Sequence, residues 1–481
     1  MKRKHAPSLA PEGPPQKAPC PAPAMVDSGL RLSAIRDLGP DANHGCVTLA
    51  QILSMDADLV QMFQFNYLLD LDWFLSQMPP ALRANCKTSF VTGDARFMQQ
   101  TRPANVSFIL APLPIPFGTH HTKMMILFYQ TGAARLVVHT ANLIEADWRN
   151  KTQACWISPL LSAKPSGSPH DACQFEQDLF RYLKSYHEPK FDRLLSRLAR
   201  LDFSQCRAIL ICSTPGYFPK SDIPFWGHPK LRSELEKIPL ACPEDEPQDV
   251  VMQFSSIGSL GQSPESWLTS ELMDSFRACA TPARAPILKL IYPTVSNVQH
   301  NLDGWSGGGS LPFSQKTWEK QMWMKPLMHQ WNATQSKRNG AVPHVKTYCR
   351  ISQTSETLSW LLVTSSNLSK AAWGVLQKGG SQLMVRSYEL GILIHPGLFR
   401  LSRDQRVVMC TRTPDVLVHL PEMKRVDEMM LMLDPSRCAT LVLPIWLPFD
   451  YPLTRYQAAD EPFRVDARYP GLVDRNGQEK Q

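Results

Sequence analysis

The chain has 481 residues, of which 43% are hydrophobic and 20% charged, and its formal net charge is +8. This length permits two or more ordinary domains, and the composition is that of a soluble globular protein. No apolar run approaches the roughly 18–20 residues that span a bilayer, which excludes a helical membrane protein. The moderate positive charge permits a polyanionic partner such as nucleic acid without requiring one.

Residues 1–28 contain seven prolines and little that could build a core, so we predict a disordered, basic and proline-rich tail. Prolines also occupy the place where a secretory signal would carry its apolar segment. The basic residues 2–4 could serve as part of a nuclear import signal; we expect a nuclear location, with a mitochondrial pool as the alternative. The twelve cysteines are scattered without a C-x-x-C pair, which indicates a reducing compartment and no structural zinc.

From about residue 45, strand and helix patterns alternate along the chain. Residues 59–75 form a long apolar stretch, for which we predict a buried helix. Short β-branched runs predict strands, apolar residues at helical spacing predict helices, and turn-rich stretches predict loops. The strands are predicted at 89–92, 106–110, 135–139, 208–212, 287–291, 360–364 and 390–394, the helices at 175–186 and 191–201, and the loops at 160–170, 220–230 and 303–312. This interleaving favours an α/β fold.

The most informative feature is an internal repeat. Residues 139–148 and 364–373 share the pattern N-L-x-x-A-x-W, and each copy follows an H-x-K tripeptide, with Lys-to-Asn intervals of 19 and 21 residues. The repeated residues are His121, Lys123 and Asn142 in the first copy, and His344, Lys346 and Asn367 in the second. A glutamine follows each copy, Gln153 and Gln382. In both copies an apolar run leads into the asparagine, which places it at a strand's C-terminal end, where α/β sheets usually bind ligands.

Either motif alone is common by chance, but recurrence of the whole set in one order indicates a functional site. Cleavage of a phosphodiester needs a nucleophile, an acid for the leaving group and donors for the non-bridging oxygens. Histidines, lysines and asparagine amides supply all three, and a neutral imidazole can form a phosphohistidine. A metal site is the competing interpretation. The sequence lacks H-E-x-x-H, and a lysine beside each histidine would repel a cation, so we predict no metal and no cofactor.

These motifs resemble the phospholipase D superfamily and, within it, the eukaryotic tyrosyl-DNA phosphodiesterases. The usual H-x-K-x-x-x-x-D signature has Phe128 and Ile351 at the Asp position, and the H-K-N form is the mark of the tyrosyl-DNA branch. Residues 117–125, 253–261, 365–374 and 386–391 also resemble family blocks, and the match extends from about residue 45 to 455. The resemblance implies two similar α/β/α sandwich domains with mixed sheets, related by a pseudo-twofold axis: residues 29–205 and 206–481, with the site between them.

By this resemblance, His121 is the nucleophile and His344 is first the acid and then the base. Lys123, Lys346, Asn142 and Asn367 would bind the phosphoryl oxygens, while Gln153 and Glu389 would orient the histidines. The implied activity is metal-independent hydrolysis of the bond between a DNA 3′-phosphate and a tyrosine left by a stalled type IB topoisomerase, or of other 3′ blocking groups. The adjacent His120 lies outside the H-x-K register and is predicted to be structural.

The resemblance also implies contacts on both sides of the cleaved bond. Phe117 would stack on a base, Ser256, Ser259 and Lys370 would contact DNA phosphates, and Tyr67 would face the peptide. The alternative for Phe117 and Tyr67 is a core aromatic. For Ser256 and Ser259 it is a plain capped turn, and for Lys370 a solvated helix lysine. The expected partners are single- or double-stranded DNA 3′ ends, with no membrane, and the expected state is a monomer. A lipid phospholipase or a non-catalytic DNA-binding relative is disfavoured, because the Asp signature is absent and all six repeated residues are present.

Overall fold

The computed structural model describes residues 24–56, 58–165, 172–281, 283–411 and 440–480. Most of the predicted tail, residues 1–23, lies outside these ranges. Residues 24–28, the end of that tail, belong to the fold, since Ala24–Met25 forms a strand and Val26 is fully buried. No described helix has both the length and the apolar character to cross a bilayer.

The described strands are short; fourteen of the twenty belong to two large sheets, and the other six form two three-stranded sheets. In chain order they are β1 Ala24–Met25, β2 Leu30–Leu32, β3 Leu59–Phe65, β4 Lys87–Thr92, β5 Val106–Leu110, β6 Met124–Tyr129, β7 Ala134–His139, β8 Ala154–Ile157, β9 Ile209–Ser213, β10 Gly216–Pro219, β11 Gln248–Gln253, β12 Ile287–Ile291, β13 Met328–His329, β14 Thr347–Ser352, β15 Leu358–Thr364, β16 Val375–Gln377, β17 Gln382–Val385, β18 Glu389–Ile394, β19 Arg406–Thr411 and β20 Thr440–Ile445.

The α-helices are mostly two turns or fewer. They are α1 Leu49–Leu53, α2 Leu71–Ser76, α3 Pro80–Asn85, α4 Glu145–Arg149, α5 Gln174–Lys184, α6 Lys190–Leu198, α7 Gly227–Leu235, α8 Met273–Phe276, α9 Val295–Gln299, α10 Gln315–Glu319 and α11 Lys370–Trp373. Helices this short gain their stability from packing on a sheet rather than from their own hydrogen bonds.

The two seven-stranded sheets repeat one topology. The first has the order β2-β8-β7-β6-β3-β4-β5 and the second β9-β18-β15-β14-β11-β12-β13. In each order the first four pairings are antiparallel and the last two are parallel. The predicted α/β fold, with two similar halves and mixed sheets, is therefore confirmed.

Helices and a small sheet cover both large sheets. The helices α1 to α3 cover one face of the first sheet, and α5 and α6 cover the other. The helices α7 to α9 and α11 cover the outer face of the second sheet, while its inner face joins the first sheet and β19 and β20 in one shared core. This shared core brings together the starts of β6 and β14, the two strands that directly follow the H-x-K tripeptides.

The predicted helix at 59–75 is wrong. The stretch contains the strand β3 and then α2, which is capped at Asp70 by a hydrogen bond from the Trp73 amide of 3.0 Å. In β3, Met62 packs under α1 to α3 and Phe63 packs under α6. A central strand that is buried on both faces has the same continuous apolar run as a buried helix, so periodicity could not distinguish them.

Two predicted loops also contain helices. The helix α7 begins inside 220–230, and Pro229 lies in its first turn, where proline is tolerated. A 3₁₀ helix, Gly304–Ser310, fills most of 303–312; Gly307 and Gly308 are required there because a Cβ would collide with Asn301 and Phe463. Of the predicted loop 160–170, residues 166–170 lie outside the described ranges. The other predicted strands and helices are confirmed, with ends shifted by three residues or fewer.

A buried ionic cluster joins the two halves beside the shared core. Lys230 on α7 donates to Asp178 on α5 at 2.9 Å and to Glu234 at 2.8 Å, and all three side chains are almost fully buried. Although burial opposes a charge at this position, the two carboxylates raise the pKa of Lys230 above its ordinary value. The cluster fixes α5, which carries tyrosines that support the candidate site.

We expect Lys230→Met to lower the free energy of unfolding by about 3–5 kcal/mol, because it removes the buried cation that both carboxylates share and leaves them only the more exposed Arg181 and Lys237. Urea denaturation followed by tryptophan fluorescence would measure this loss. Lys237→Met is the matched control, since Lys237 also bonds Glu234, at 2.9 Å, but is largely exposed, and it should cost less than about 1 kcal/mol. Equal midpoints for the two variants would contradict the prediction.

Candidate active site

Each H-x-K tripeptide leads into a central strand and pairs with the opposite half of the molecule. The backbone N–H of His121 donates to the carbonyl of Tyr388 at 3.0 Å, and that of His344 donates to the carbonyl of Thr152 at 3.0 Å. Tyr388 immediately precedes β18, and Thr152 lies just before β8. Because β8 and β18 occupy the same place in the two sheets, the exchange is reciprocal and the candidate site lies between the halves.

A buried carboxylate orients the imidazole of His121. Its Nδ1 lies 3.0 Å from Oε2 of Glu389, which also accepts a hydrogen bond from the Ser365 hydroxyl. Burial disfavours the carboxylate, but His121 and Ser365 outweigh it and lower the pKa of Glu389. The proton of His121 is therefore on Nδ1, which leaves the Nε2 lone pair free. Burial also lowers the pKa of His121, with Glu389 opposing, so the ring is neutral at pH 7.

The second imidazole has different partners. Nδ1 of His344 lies 2.9 Å from Nε2 of Gln153 and 3.2 Å from Oδ2 of Asp147. Burial, followed by Lys346 and Lys123, lowers the pKa of His344 well below its ordinary value. The two histidines thus differ in the charge and number of the groups that hold them.

Gln153 and Glu389 occupy equivalent positions in the repeat. In the first sheet His139 pairs with Cys155, and in the second Thr364 pairs with Gly391, so the residue two places before each partner is Gln153 in one case and Glu389 in the other. The sequence comparison of Gln153 with Gln382 was therefore wrong. Gln382 begins β17, in a separate three-stranded sheet, and the glutamine spacing was a coincidence.

Asp147 is the site residue that the sequence analysis missed. It is wholly buried, and its Oδ2 accepts from the Asn142 backbone at 2.7 Å and from the Asn142 side chain at 2.8 Å. Its Oδ1 lies 3.3 Å from Nζ of Lys151. The second copy has Ala372 at this position, five residues after the asparagine. The signal in the sequence was a difference between the two copies, whereas a repeat is recognised from the positions that match.

Two buried lysines bring positive charge to the centre. Nζ of Lys123 donates to the carbonyl of His121 at 2.9 Å, and Nζ of Lys346 donates to the carbonyl of His344. Burial lowers the pKa of Lys123 to about 8, although Glu389 and Asp147 oppose the shift, and burial with Lys123 nearby lowers that of Lys346 further. A phosphodiester anion bound between the halves would raise both pKa values and keep both ammonium groups charged.

The two asparagines are also held differently. Oδ1 of Asn367 accepts from the backbone N–H groups of Ser255 at 3.1 Å and Ser256 at 3.0 Å, so its amide N–H₂ is left for a ligand. The Nδ2 of Asn142 instead donates to Asp147, and within the ranges described its Oδ1 is buried without a hydrogen-bond partner. Asn142 therefore both contacts the site and positions Asp147.

The predicted DNA and peptide contacts lie around this centre. The ring of Tyr67 is 5.3 Å from that of His121. Ser256 contacts Asn367 through its backbone, and Ser259 is exposed on the same loop, which Gly258 ties to Leu368 at 2.9 Å. Lys370, at the start of α11, is half-buried next to that loop.

Phe117 protrudes from the rim of the site. It is 93% exposed and has a φ of 61°, a left-handed conformation that is unusual for an aromatic residue. The guanidinium of Arg386 fixes this loop by donating to the carbonyl of Pro116 at 2.7 Å. This hydrogen bond ties the loop to the segment that carries Glu389.

A polar chain supports the first H-x-K from below. The hydroxyl of Thr122 is hydrogen-bonded to that of Tyr182, and the Tyr182 hydroxyl lies 3.0 Å from the Tyr186 hydroxyl. The Tyr186 hydroxyl in turn lies 3.0 Å from Nε2 of His120. Nδ1 of His120 lies 3.2 Å from the carbonyl of Asn66. His120 is thus buried, and both of its ring nitrogens have partners outside the candidate site. In the described part of the chain, no three His, Cys, Asp or Glu side chains converge as metal ligands would.

Known proteins share both the sequence and the fold. The family profile described as tyrosyl-DNA phosphodiesterase matches residues 29–457. Tyrosyl-DNA phosphodiesterase 1 of Arabidopsis thaliana is 34% identical over 475 residues, covering 94% of this chain and 76% of the relative. The Drosophila melanogaster protein of the same name is 34% identical over 458 residues, covering 90% and 73%.

A solved structure agrees with the architecture. The crystal structure of yeast tyrosyl-DNA phosphodiesterase superposes with a TM-score of 0.65 at 23% identity, covering 91% of this chain and 99% of that one. At this identity the likeness shows the phospholipase D-type fold alone. Together with the profile match and the relatives above, it places this chain in the tyrosyl-DNA phosphodiesterase family of phosphodiester hydrolases.

Proposed function

We propose that this protein hydrolyses the bond between a DNA 3′-phosphate and a tyrosine, or another 3′ blocking group, through a covalent phosphohistidine on His121. The natural substrate would be a DNA end that carries a peptide of a stalled type IB topoisomerase. The observation that carries the proposal is the imidazole of His121, whose Nδ1 lies 3.0 Å from the Glu389 carboxylate beside the two buried lysines. This arrangement provides an activated nucleophile next to positive charge without a metal.

In the first step, Nε2 of His121 attacks phosphorus as the bond from phosphorus to the tyrosine oxygen breaks. His344, as imidazolium, transfers its Nε2 proton to that oxygen. The substrate anion and Asp147 favour this protonated form, against the burial that disfavours it in the free protein. Lys123, Lys346, Asn142 and Asn367 would hold the non-bridging oxygens as charge develops on them.

In the second step, His344 is neutral and accepts a proton from water as the water oxygen attacks phosphorus. The bond between phosphorus and Nε2 of His121 breaks, a DNA 3′-phosphate leaves, and His344 is again protonated. Gln153 and Glu389 contact only Nδ1 of their histidines, so they keep each Nε2 directed at phosphorus. They would therefore act as positioning residues.

The rim residues would separate DNA from peptide. A non-glycine residue at positive φ costs of order 1–3 kcal/mol, so a conformation that exposes Phe117 needs a compensating role, and stacking on a base supplies one. Ser256, Ser259 and Lys370 lie together beside Asn367 and would contact phosphates on the DNA side. Tyr67 lies against His121 in the first half and would face the peptide.

We expect full activity on a 3′-phosphotyrosyl oligonucleotide in excess EDTA, because the lysines and asparagines supply the charge stabilisation that a metal would otherwise provide. Gel separation of substrate from 3′-phosphate product would measure it, with a magnesium-dependent nuclease as the control in the same buffer. Activity that disappears in EDTA and returns with a divalent cation would contradict the metal-free mechanism.

We expect His344→Ala to accumulate DNA bound covalently to the protein, since removing the base slows hydrolysis of the phosphohistidine by about 10²–10⁴-fold. Labelled DNA that co-migrates with protein on a denaturing gel would show the adduct. His121→Ala and the double variant should show none, and an adduct that persists without His121 would refute the assignment of the nucleophile.

We expect Asp147→Asn to shift the alkaline limb of the pH–rate profile to lower pH. The Asp147 carboxylate favours protonated His344, so its loss lowers the pKa of the acid; the rate should fall at pH values above that pKa, by about tenfold per pKa unit, and change little below it. Steady-state rates from pH 5.5 to 9 would measure it. Asp41→Asn, at a largely exposed ion pair with Lys337, is the control. A uniform loss of activity at every pH would indicate a structural role instead.

A further inference from the structure

A row of cations on α6 remains unexplained by the site described above. Lys190, Arg193, Arg197 and Arg200 lie at intervals of three, four and three residues, which places them on one side of the helix and its following turn. We name these four residues the α6 basic stripe. The helix packs on the first sheet through Phe191, Leu194 and Leu198, so the stripe lies along one border of its buried face.

The stripe borders a surface groove between α6 and the strands β3, β4 and β5. Gln61, Ser89 and Ser107 line its other wall, and no acidic residue lines it in the part of the chain described. The nearby carboxylates are directed elsewhere: Asp192 lies on the opposite flank of α6, and Glu188 accepts the backbone N–H of Lys190 at 3.0 Å. The groove therefore combines concentrated positive charge with uncharged hydrogen-bonding groups.

One end of the stripe lies near the active end of the first sheet. Phe191, beside Lys190, packs on Phe65 with ring centroids 5.8 Å apart, and Phe65 pairs with the first residue of β6, three positions after His121. Farther along, the guanidinium of Arg197 lies 3.7 Å from the ring centre of Phe128, near the other end of β6. The stripe therefore extends away from the site over about 15 Å, from ten residues at about 1.5 Å each.

We propose that the α6 basic stripe binds the sugar–phosphate backbone of DNA at positions remote from the cleaved end. This inference rests on the proposed function, since the partner is the same DNA. One strand carries a charge about every 3.4 Å, so a row of this length faces about four phosphates. Side-chain amide and hydroxyl groups contact phosphate without reading sequence, as an end-processing enzyme requires. A membrane surface fits less well, because the groove exposes no large apolar side chain to insert.

The test compares Arg193→Glu/Arg200→Glu with the unchanged protein. Both arginines are exposed, whereas Arg197 is left in place because it packs on Phe128. Fluorescence anisotropy with a 30-base-pair duplex over a range of salt concentrations would give Kd and its salt dependence. We expect Kd to rise about tenfold or more, and the slope of log Kd against log salt to fall by about 2, from about 0.9 per lost phosphate contact. Cleavage of a single nucleotide that carries a 3′-phosphotyrosyl group, and so has no backbone beyond the cleaved phosphate to contact the stripe, should keep its kcat/KM.

Arg400→Glu/Arg403→Glu is the matched control. It changes the net charge equally at two exposed positions that follow β18, at the end of the second sheet away from Glu389. Equal weakening by the two double variants, unchanged binding by the stripe variant, or loss of cleavage of the short substrate would each overturn the inference. So would a stripe variant that loses binding to phosphatidylserine vesicles but not to DNA. Failure of the proposed function would be distinct, because the unchanged protein would then not cleave the short substrate.

Discussion

The site depends on the exchange of two backbone hydrogen bonds between the halves, His121 to Tyr388 and His344 to Thr152. The first bond holds His121 beside Glu389, its side-chain partner. The second holds His344 beside Gln153 in the same way. The shared core and the Lys230 cluster hold the two sheets in an arrangement that makes both bonds at once. Burial follows from the same packing, and burial is what lowers the pKa values of both histidines and both lysines.

Within this symmetric frame, two differences between the copies give the histidines unequal properties. Glu389 faces His121 where Gln153 faces His344, and Asp147 stands where the other copy has Ala372. A full carboxylate at 3.0 Å fixes the tautomer that the proposed nucleophile needs. A neutral amide with a carboxylate already shared by Asn142 and Lys151 leaves the second ring freer to exchange a proton. The different roles proposed for the two histidines thus depend on side chains, with no change in backbone topology.

The sequence predicted the fold class, the two halves and the repeated residues, because each of these leaves a local pattern. It failed where local patterns are ambiguous: the two-sided burial of β3 resembles a helix, and the first turn of α7 resembles a loop. Asp147 was missed because its meaning depends on His344, nearly two hundred residues away. The coincidence of Gln153 with Gln382 misled for the same reason, since only the ladder register reveals that Glu389 is the true counterpart.

The exchange of partners also bears on how such a chain could have evolved. A single copy of the repeat has its H-x-K but lacks the strand that orients it, so it could work only by pairing with a second identical copy. In such a homodimer both histidines would have the same neighbour, either two amides or two carboxylates. Fusion of the duplicated copies into one chain removes that constraint, because Gln153 and Glu389 can then be inherited and selected separately.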